Sequence, residues 1–126
     1  MPTVLIVDDE QHIRLLIEQT LEELEDEGVQ LLTASDGEEA LEVVGIHHPD
    51  LVFLDVMMPK KNGFEVCEAI KQDLGMTATK VVLLTAKGQA VDRERGMAAG
   101  ADRYLTKPFD PDELLATARE LLGPSA

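Results

Sequence analysis

Thr3-Val4-Leu5-Ile6-Val7-Asp8-Asp9-Glu10 sets an unbroken β-branched and leucine run directly against three consecutive carboxylates. The run has no polar alternation, so it reads as a strand covered on both faces, bounded by Pro2 and Asp8. Strands of that kind belong to parallel sheets, and a parallel sheet needs crossover helices between its strands. The rest of the chain supplies them. Ile13, Leu16, Ile17, Leu21 and Leu24 recur at three- and four-residue steps, which predicts a first helix closed by Glu25-Asp26-Glu27-Gly28. Val29 to Ala34 is the second strand. Ser35 with Glu38, or Asp36 with Glu39, then offers a capping box for a helix carrying Ala40, Leu41 and Val44.

His47-His48-Pro49 makes the next loop, and Leu51 to Leu54 forms a third buried strand ending at Asp55. After the loop Val56 to Asn62, Gly63 opens a helix whose buried stripe is Val66, Cys67, Ile70 and Leu74, stopped by Gly75. Lys80 to Leu84 is the fourth strand, ending at Thr85. An alanine-rich helix follows from Gln89 to Ala99, with Gly100 as its cap, and Arg103 to Thr106 is a short fifth strand before Lys107. Asp110-Pro111-Asp112-Glu113 supplies an N-cap, a first-turn proline and a capping-box glutamate for a last helix burying Leu114, Leu115, Ala118 and Leu122. Five strand–helix pairs predict one α/β domain, a doubly wound (βα)5 sheet with helices on both faces. Residues 123–126 read as a disordered tail.

All carboxyl ends of a parallel sheet face one edge, where ligands bind. Asp8, Asp9, Asp55, Thr85 and Lys107 therefore converge although they are far apart in the chain. Three carboxylates suit a hard divalent cation, and a hydroxyl and an ammonium suit phosphoryl oxygens. Asp8 or Asp9 alone would serve as a helix cap, but one suffices for that. Adjacent carboxylates repel unless a cation compensates them.

The 126 residues fit a single core without staples. With 25 acidic against 11 basic residues the net charge is −14, which argues against nucleic acid or an anionic membrane as partner and favours basic protein surfaces. The lone Cys67 excludes an internal disulfide and reads as a buried structural thiol in reducing cytosol. No apolar run approaches the ~20 residues that span a bilayer, and the N-terminus lacks the pattern of a signal peptide, so a cytoplasmic location is expected. His47 and His48 have no partner at metal-ligand spacing and read as solvated loop. Met57 and Met58 are expected to pack against neighbouring helices. Leu15 lies off the apolar stripe.

The segments Val-Leu-Ile-Val-Asp-Asp-Glu (4 to 10), Leu-Val-Phe-Leu-Asp-Val-Met-Met-Pro (51 to 59), Leu-Leu-Thr-Ala-Lys-Gly (83 to 88) and Gly-Ala-Asp-Arg-Tyr-Leu-Thr-Lys-Pro-Phe (100 to 109) resemble the receiver domain of two-component response regulators. The resemblance covers essentially the whole chain, with residues 1–122 as the receiver. It implies the CheY-like, flavodoxin-type strand order 2-1-3-4-5, the order that holds for that fold generally. It further implies that Asp55 accepts a phosphoryl group from a sensor histidine kinase or phosphotransfer protein. Asp9, Asp55 and the Met57 carbonyl would bind Mg²⁺, with Asp8 acting through water. Lys107 and Ala86 would contact the phosphoryl group, with Thr85 the switch hydroxyl and Tyr104 the switch aromatic. The surface of the fourth helix, fifth strand and fifth helix would then regulate a downstream protein partner. Such a domain is no enzyme beyond its own phosphotransfer and dephosphorylation. The chain reads either as a stand-alone receiver or as a piece of a longer protein, and the former is the expectation.

Three competing readings fit less well. A haloacid-dehalogenase-type phosphatase resembles Asp-x-Asp, but Met57 stands where its general acid belongs. A flavodoxin-like FMN carrier needs phosphate donors in its first loop, and Asp8-Asp9-Glu10 would repel that ligand. A vestigial interaction module would not need every acceptor and switch position filled. Transcription-factor receivers of the winged-helix class resemble this chain at Arg93 and Glu113. The chain departs from them at Arg103, Thr117 and Ala98, which leaves Arg119 without the acidic counterpart of their symmetric dimer, so a monomer is expected.

Overall fold

The computed structural model describes residues 2–58, 61–76, 78–86 and 90–123, with the backbone alone for Ala86 and residues 90–93. In order, the elements are β1 (Thr3–Val7), α1 (Gln11–Thr20), α2 (Glu22–Asp26), β2 (Gln30–Ala34), α3 (Gly37–His47), β3 (Leu51–Asp55), α4 (Gly63–Glu68, with a π-helical turn over Ala69–Asp73), β4 (Lys80–Ala86), α5 (Ala90–Ala98), β5 (Arg103–Lys107) and α6 (Pro111–Leu122). The five strands form one parallel sheet in the order β2-β1-β3-β4-β5, as expected. The helices expected fourth and fifth are α5 and α6. No helix among the described residues is long and apolar enough to cross a membrane.

The uninterrupted apolar strands build two cores, because successive side chains point to opposite faces. Leu5, Val7, Val52, Leu54, Val81 and Leu83 meet Ala40 and Val44 of α3 and Val66, Cys67 and Ile70 of α4. Val4, Ile6, Leu51, Phe53, Val82 and Leu84 meet Ile17, Leu21 and Leu24 on one side and Leu114 and Ala118 of α6. The sheet is thus sealed on both faces, and polar chemistry is confined to its edges.

Several boundaries differ from the expectation. The first helix is two, interrupted at Leu21 (φ −95, ψ 5). Thr20 Oγ1 donates to the Leu16 carbonyl at 2.8 Å, a back-bond that loosens helices locally, while Ile17, Leu21 and Leu24 all stay buried through the bend. Leu16, placed in the stripe, is exposed, because the buried line narrows to Ile17, Leu21 and Leu24 beside half-buried Ile13. Leu74 is 49% exposed instead of buried. The wide turn ends with Leu74 N–H donating to the Ala69 carbonyl five residues back, which rotates Leu74 off the face that carries Ile70.

The α3 helix runs on through His47, so only His48 and Pro49 remain of that loop, with His48 at positive φ. Asp36 caps α3 by accepting from Glu39 N–H at 2.9 Å, and Glu39 reaches back to Ser35 N–H rather than to the cap's own amide. Asp110 caps α6 through Asp112 N–H at 2.8 Å, two residues on, so Glu113 forms no capping box. Leu115 and Leu122 are only partly buried. Met58 packs against a core as expected, but Met57 is 74% exposed. Gln89, Pro59 and residues 124–126 of the expected tail lie outside the described residues.

Candidate functional site

β1 ends at Val7, and the ladder continues one step, with Asp8 N–H donating to the Ala34 carbonyl at 3.3 Å. That bond fixes Asp8 at the sheet edge, where its side chain is fully buried. Its Oδ1 accepts from Glu10 N–H at 2.9 Å and its main-chain oxygen accepts from Arg14 Nη1 at 2.6 Å, so the turn into α1 is tied to the same residue. Asp9 and Glu10 are exposed, and carboxylate oxygens of Asp8, Asp9 and Glu10 lie within 4.8 Å of one another.

Asp55 closes β3 in register with Leu84 of β4 and is 4% exposed. Gly63 at the start of α4 presses on it from behind. A Cβ there would lie 2.5 Å from the Asp55 carbonyl oxygen and 2.8 Å from Val56 Cα, so only glycine allows this approach. Asn62 fixes the turn with a capping box: its side chain accepts from Glu65 N–H at 2.9 Å and Glu65 accepts from Asn62 N–H at 3.1 Å. The end of β3 at Asp55–Val56 and the first turn of α4 are therefore held together.

Lys107, the last residue of β5, crosses the edge to both carboxylates, its Nζ standing 3.0 Å from Asp8 Oδ2 and 3.1 Å from Asp55 Oδ1. Three strand ends thus meet in one ion-paired cluster. Burial pushes the Asp55 carboxyl up, the charge of Asp8 adds to this, and Lys107 opposes both, leaving its pKa at about 6. Burial draws the Lys107 ammonium down, but the hydrogen bond and charge of Asp8, together with Asp55, outweigh it and hold its pKa above the ordinary lysine value. Asp55 Oδ1 accepts from Met57 N–H at 3.3 Å as well as from Lys107.

Thr85 sits at the end of β4, 2% exposed, in register with Thr106. Ala86 pairs in register with Lys107, and its side chain lies outside the described residues. Tyr104 is half-buried on β5 and packs against the core that contains Phe64 and Leu83. Asp8, Asp55 and Lys107 are thus in direct contact, Asp9 joins Asp8 from outside, Thr85 stands at the same edge, and Tyr104 lies three residues back from Lys107. Sequence reasoning did not single out Arg14, read Gly63 only as the opening of a helix, and treated Glu10 only as a repelling neighbour. The i+6 placement of Arg14 from Asp8, across a turn and into a helix, was the one usable signal. Cys67 is buried as expected, and burial pushes its thiol up to about 11.

The donor set around Asp8 is oxygen-only and acidic, which fits Mg²⁺ and excludes soft metals. Residues 4–119 match the family model described as the response regulator receiver domain. The chain is 44% identical over 119 residues to the alkaline phosphatase synthesis transcriptional regulatory protein PhoP of Bacillus subtilis, covering 94% of this chain and 48% of that protein. It is 36% identical to protein PilG of Pseudomonas aeruginosa, over 92% of this chain and 84% of that one. The chain spans about half the length of the first curated relatives it matches. Among solved structures, the chemotaxis response regulator CheY4 of Vibrio cholerae superposes with a TM-score of 0.85 at 36% identity, covering 96% of this chain and 98% of that one.

Proposed function

The chain belongs to the response regulator receiver family of two-component signalling, and from that premise we propose that Asp55 is its phosphoacceptor. The observation that carries the reading is the Lys107 bridge between Asp8 and Asp55, which gathers three strand ends at the one edge a parallel sheet offers a ligand. The donor is a phosphohistidine on a sensor histidine kinase or phosphotransfer protein. A carboxylate oxygen of Asp55 attacks phosphorus, the P–N bond breaks, the imidazole leaves and takes up a proton, and an aspartyl phosphate results. Lys107 is placed to transfer its contact from Asp55 Oδ1 to a phosphoryl oxygen and to neutralise charge there. Asp8, Asp9, Asp55 and the Met57 carbonyl would hold Mg²⁺, and Glu10 lies close enough to Asp8 and Asp9 to act on the same ion. The bound ion supplies charge neutralisation and alignment for in-line transfer.

The Thr85 hydroxyl and the Ala86 amide then meet the new oxygens, and half-buried Tyr104 reports the change to the face formed by α5, β5 and α6. A protein partner reads that face, in the cytoplasm, with no nucleic acid bound by this domain. The domain acts as a monomer. Arg103 is paired with Glu120 of α6, and Arg119, which lacks the acidic counterpart of the symmetric dimer, binds Glu23 at 2.7 Å and Glu27 at 2.8 Å of its own chain. Thr117 is buried, so that position offers no surface charge, and the side chain of Arg93 lies outside the described residues.

Incubation with acetyl phosphate and Mg²⁺ tests the acceptor. One acid-stable, base-labile phosphoryl group is expected, lost in Asp55→Asn. Undiminished labelling of that variant refutes the assignment.

A further inference from the structure

Among the described side chains of α5, Glu94, Arg95, Met97 and Ala98 are exposed, and Gly96 alone is buried. Gly96 lets the helix approach the sheet closely: a Cβ there would lie 2.7 Å from Leu83 Cδ1 and 3.6 Å from Phe64 Cε1. An approach made without a side chain buries little apolar surface, so it positions the helix more than it binds it. Beyond the helix end, Ala99 is buried and its carbonyl accepts from Cys67 Sγ at 3.5 Å.

Arg95 makes a contact of a different kind. Its guanidinium carbon stands 4.5 Å from the centroid of the Phe64 ring, inside the ~6 Å range of a cation–π contact. Phe64 is buried and is the second residue of α4. Gly63 before it packs on the Asp55 carbonyl and donates its N–H to the Val56 carbonyl at 2.9 Å, and the Asn62–Glu65 box holds the same turn. The ring under Arg95 is therefore fixed to the backbone of the acceptor loop.

We propose that Arg95 is a positioning residue whose contact with Phe64 latches α5 to the first turn of α4, so that a displacement of the acceptor loop around Asp55 is passed to α5. The latch stands on geometry alone, and its regulatory meaning rests on the reading of Asp55 as phosphoacceptor. It differs from the Thr85–Tyr104 route in running outside the sheet, from helix to helix.

Native-state amide hydrogen exchange across residues 94–100 of the metal-free protein tests it, because helices open locally to an extent that their contacts set, and the latch is one of those contacts. Arg95→Gln should raise exchange there about two- to fivefold, the amount an exposed cation–π contact is worth, and Arg95→Lys should restore part of the protection. Phe64→Leu keeps the core filled and removes the ring, and in that background Arg95→Gln should add nothing. Asn62→Ala, which frays the first turn of α4, should raise exchange in residues 94–100 when Arg95 is present and leave it unchanged in Arg95→Gln. The latch is overturned by unchanged exchange in Arg95→Gln, by its full effect persisting without the Phe64 ring, or by an Asn62→Ala response indifferent to Arg95. Acetyl phosphate labelling of the same proteins reports on the acceptor separately. Failure there in the wild type removes the regulatory meaning and leaves the exchange result to judge the latch.

Discussion

Asp55→Asn should make the metal-free protein more stable at neutral pH, and by an amount that depends on pH in a fixed way. In the folded chain the Asp55 carboxyl is raised from 3.8 to about 6, by burial first and by Asp8 second, with Lys107 opposing. A raised pKa means the native state holds this proton more tightly than the unfolded state does. The neutral carboxyl therefore contributes its full stability below pH 3.8, and the contribution is lost as pH rises through about 6. Roughly two pH units at 1.36 kcal/mol each give a loss of about 3 kcal/mol. Asparagine stands in for the neutral acid and escapes that loss. The attraction of Lys107 is already contained in the shift, so it is not subtracted again.

The expected gain at pH 7.5 is about 1–3 kcal/mol, the lower end allowing for imperfect packing of the amide. For a chain of this size that is a rise in Tm of up to ~10 °C. Urea melts of both proteins in EDTA, from about pH 4.5 to 7.5, isolate the effect, because every other titrating group is common to the two. The difference in unfolding free energy should widen by about 2 kcal/mol over that range. A difference that stays constant with pH, or that narrows toward pH 7.5, would show that Asp55 is not strained in the apo site.

Mg²⁺ at a hundredfold excess over its dissociation constant should stabilise the fold by about 2.7 kcal/mol, and Asp9→Ala should abolish the shift; a response that survives in Asp9→Ala places the ion elsewhere. Sedimentation of beryllofluoride-activated protein at tens of micromolar should show a monomer, whereas a dimer that disappears in Arg93→Ala would mean that one remaining ion pair suffices. Cys67, buried with its thiol pushed up to about 11, should stay silent to a disulfide reagent at pH 8 until the protein is denatured. Rapid native modification would show that the segment around α4 opens readily.

The inner strands β1, β3 and β4 were legible because a strand sealed on both faces carries an unbroken apolar run up to the edge of the sheet. The first charged or hydroxyl group after each of those runs, Asp8, Asp55 and Thr85, therefore marks the shared edge, and Lys107 at the end of the more polar strand β5 meets Asp8 across nearly the whole chain at 3.0 Å. Helix interiors carry no such stop signal. The bend at Leu21 depends on one back-bonded threonine, and the exposure of Leu74 on a single extra residue in a turn, neither of which changes the apolar spacing that a periodicity reads. Pairwise contacts between helices are less legible still, since Arg119 and Glu27 are ordinary surface residues until the fold sets them 2.8 Å apart.

The same limit explains why the contact of Arg95 with Phe64 escapes a sequence reading. The partner of Arg95 is neither a charge nor at helical spacing. Gly96 allows α5 a close approach to the sheet, and the neighbouring Arg95 lies over the Phe64 ring. Enlarging Gly96 should then undo the cation–π contact without touching either participant, since a Cβ 2.7 Å from Leu83 Cδ1 pushes the helix outward. Gly96→Ala should accordingly raise exchange across residues 94–100 at least as far as Arg95→Gln does, and combining the two should add little. Additive effects would mean that glycine docking and the arginine contact hold α5 independently, and that the close approach is not what brings Arg95 onto Phe64.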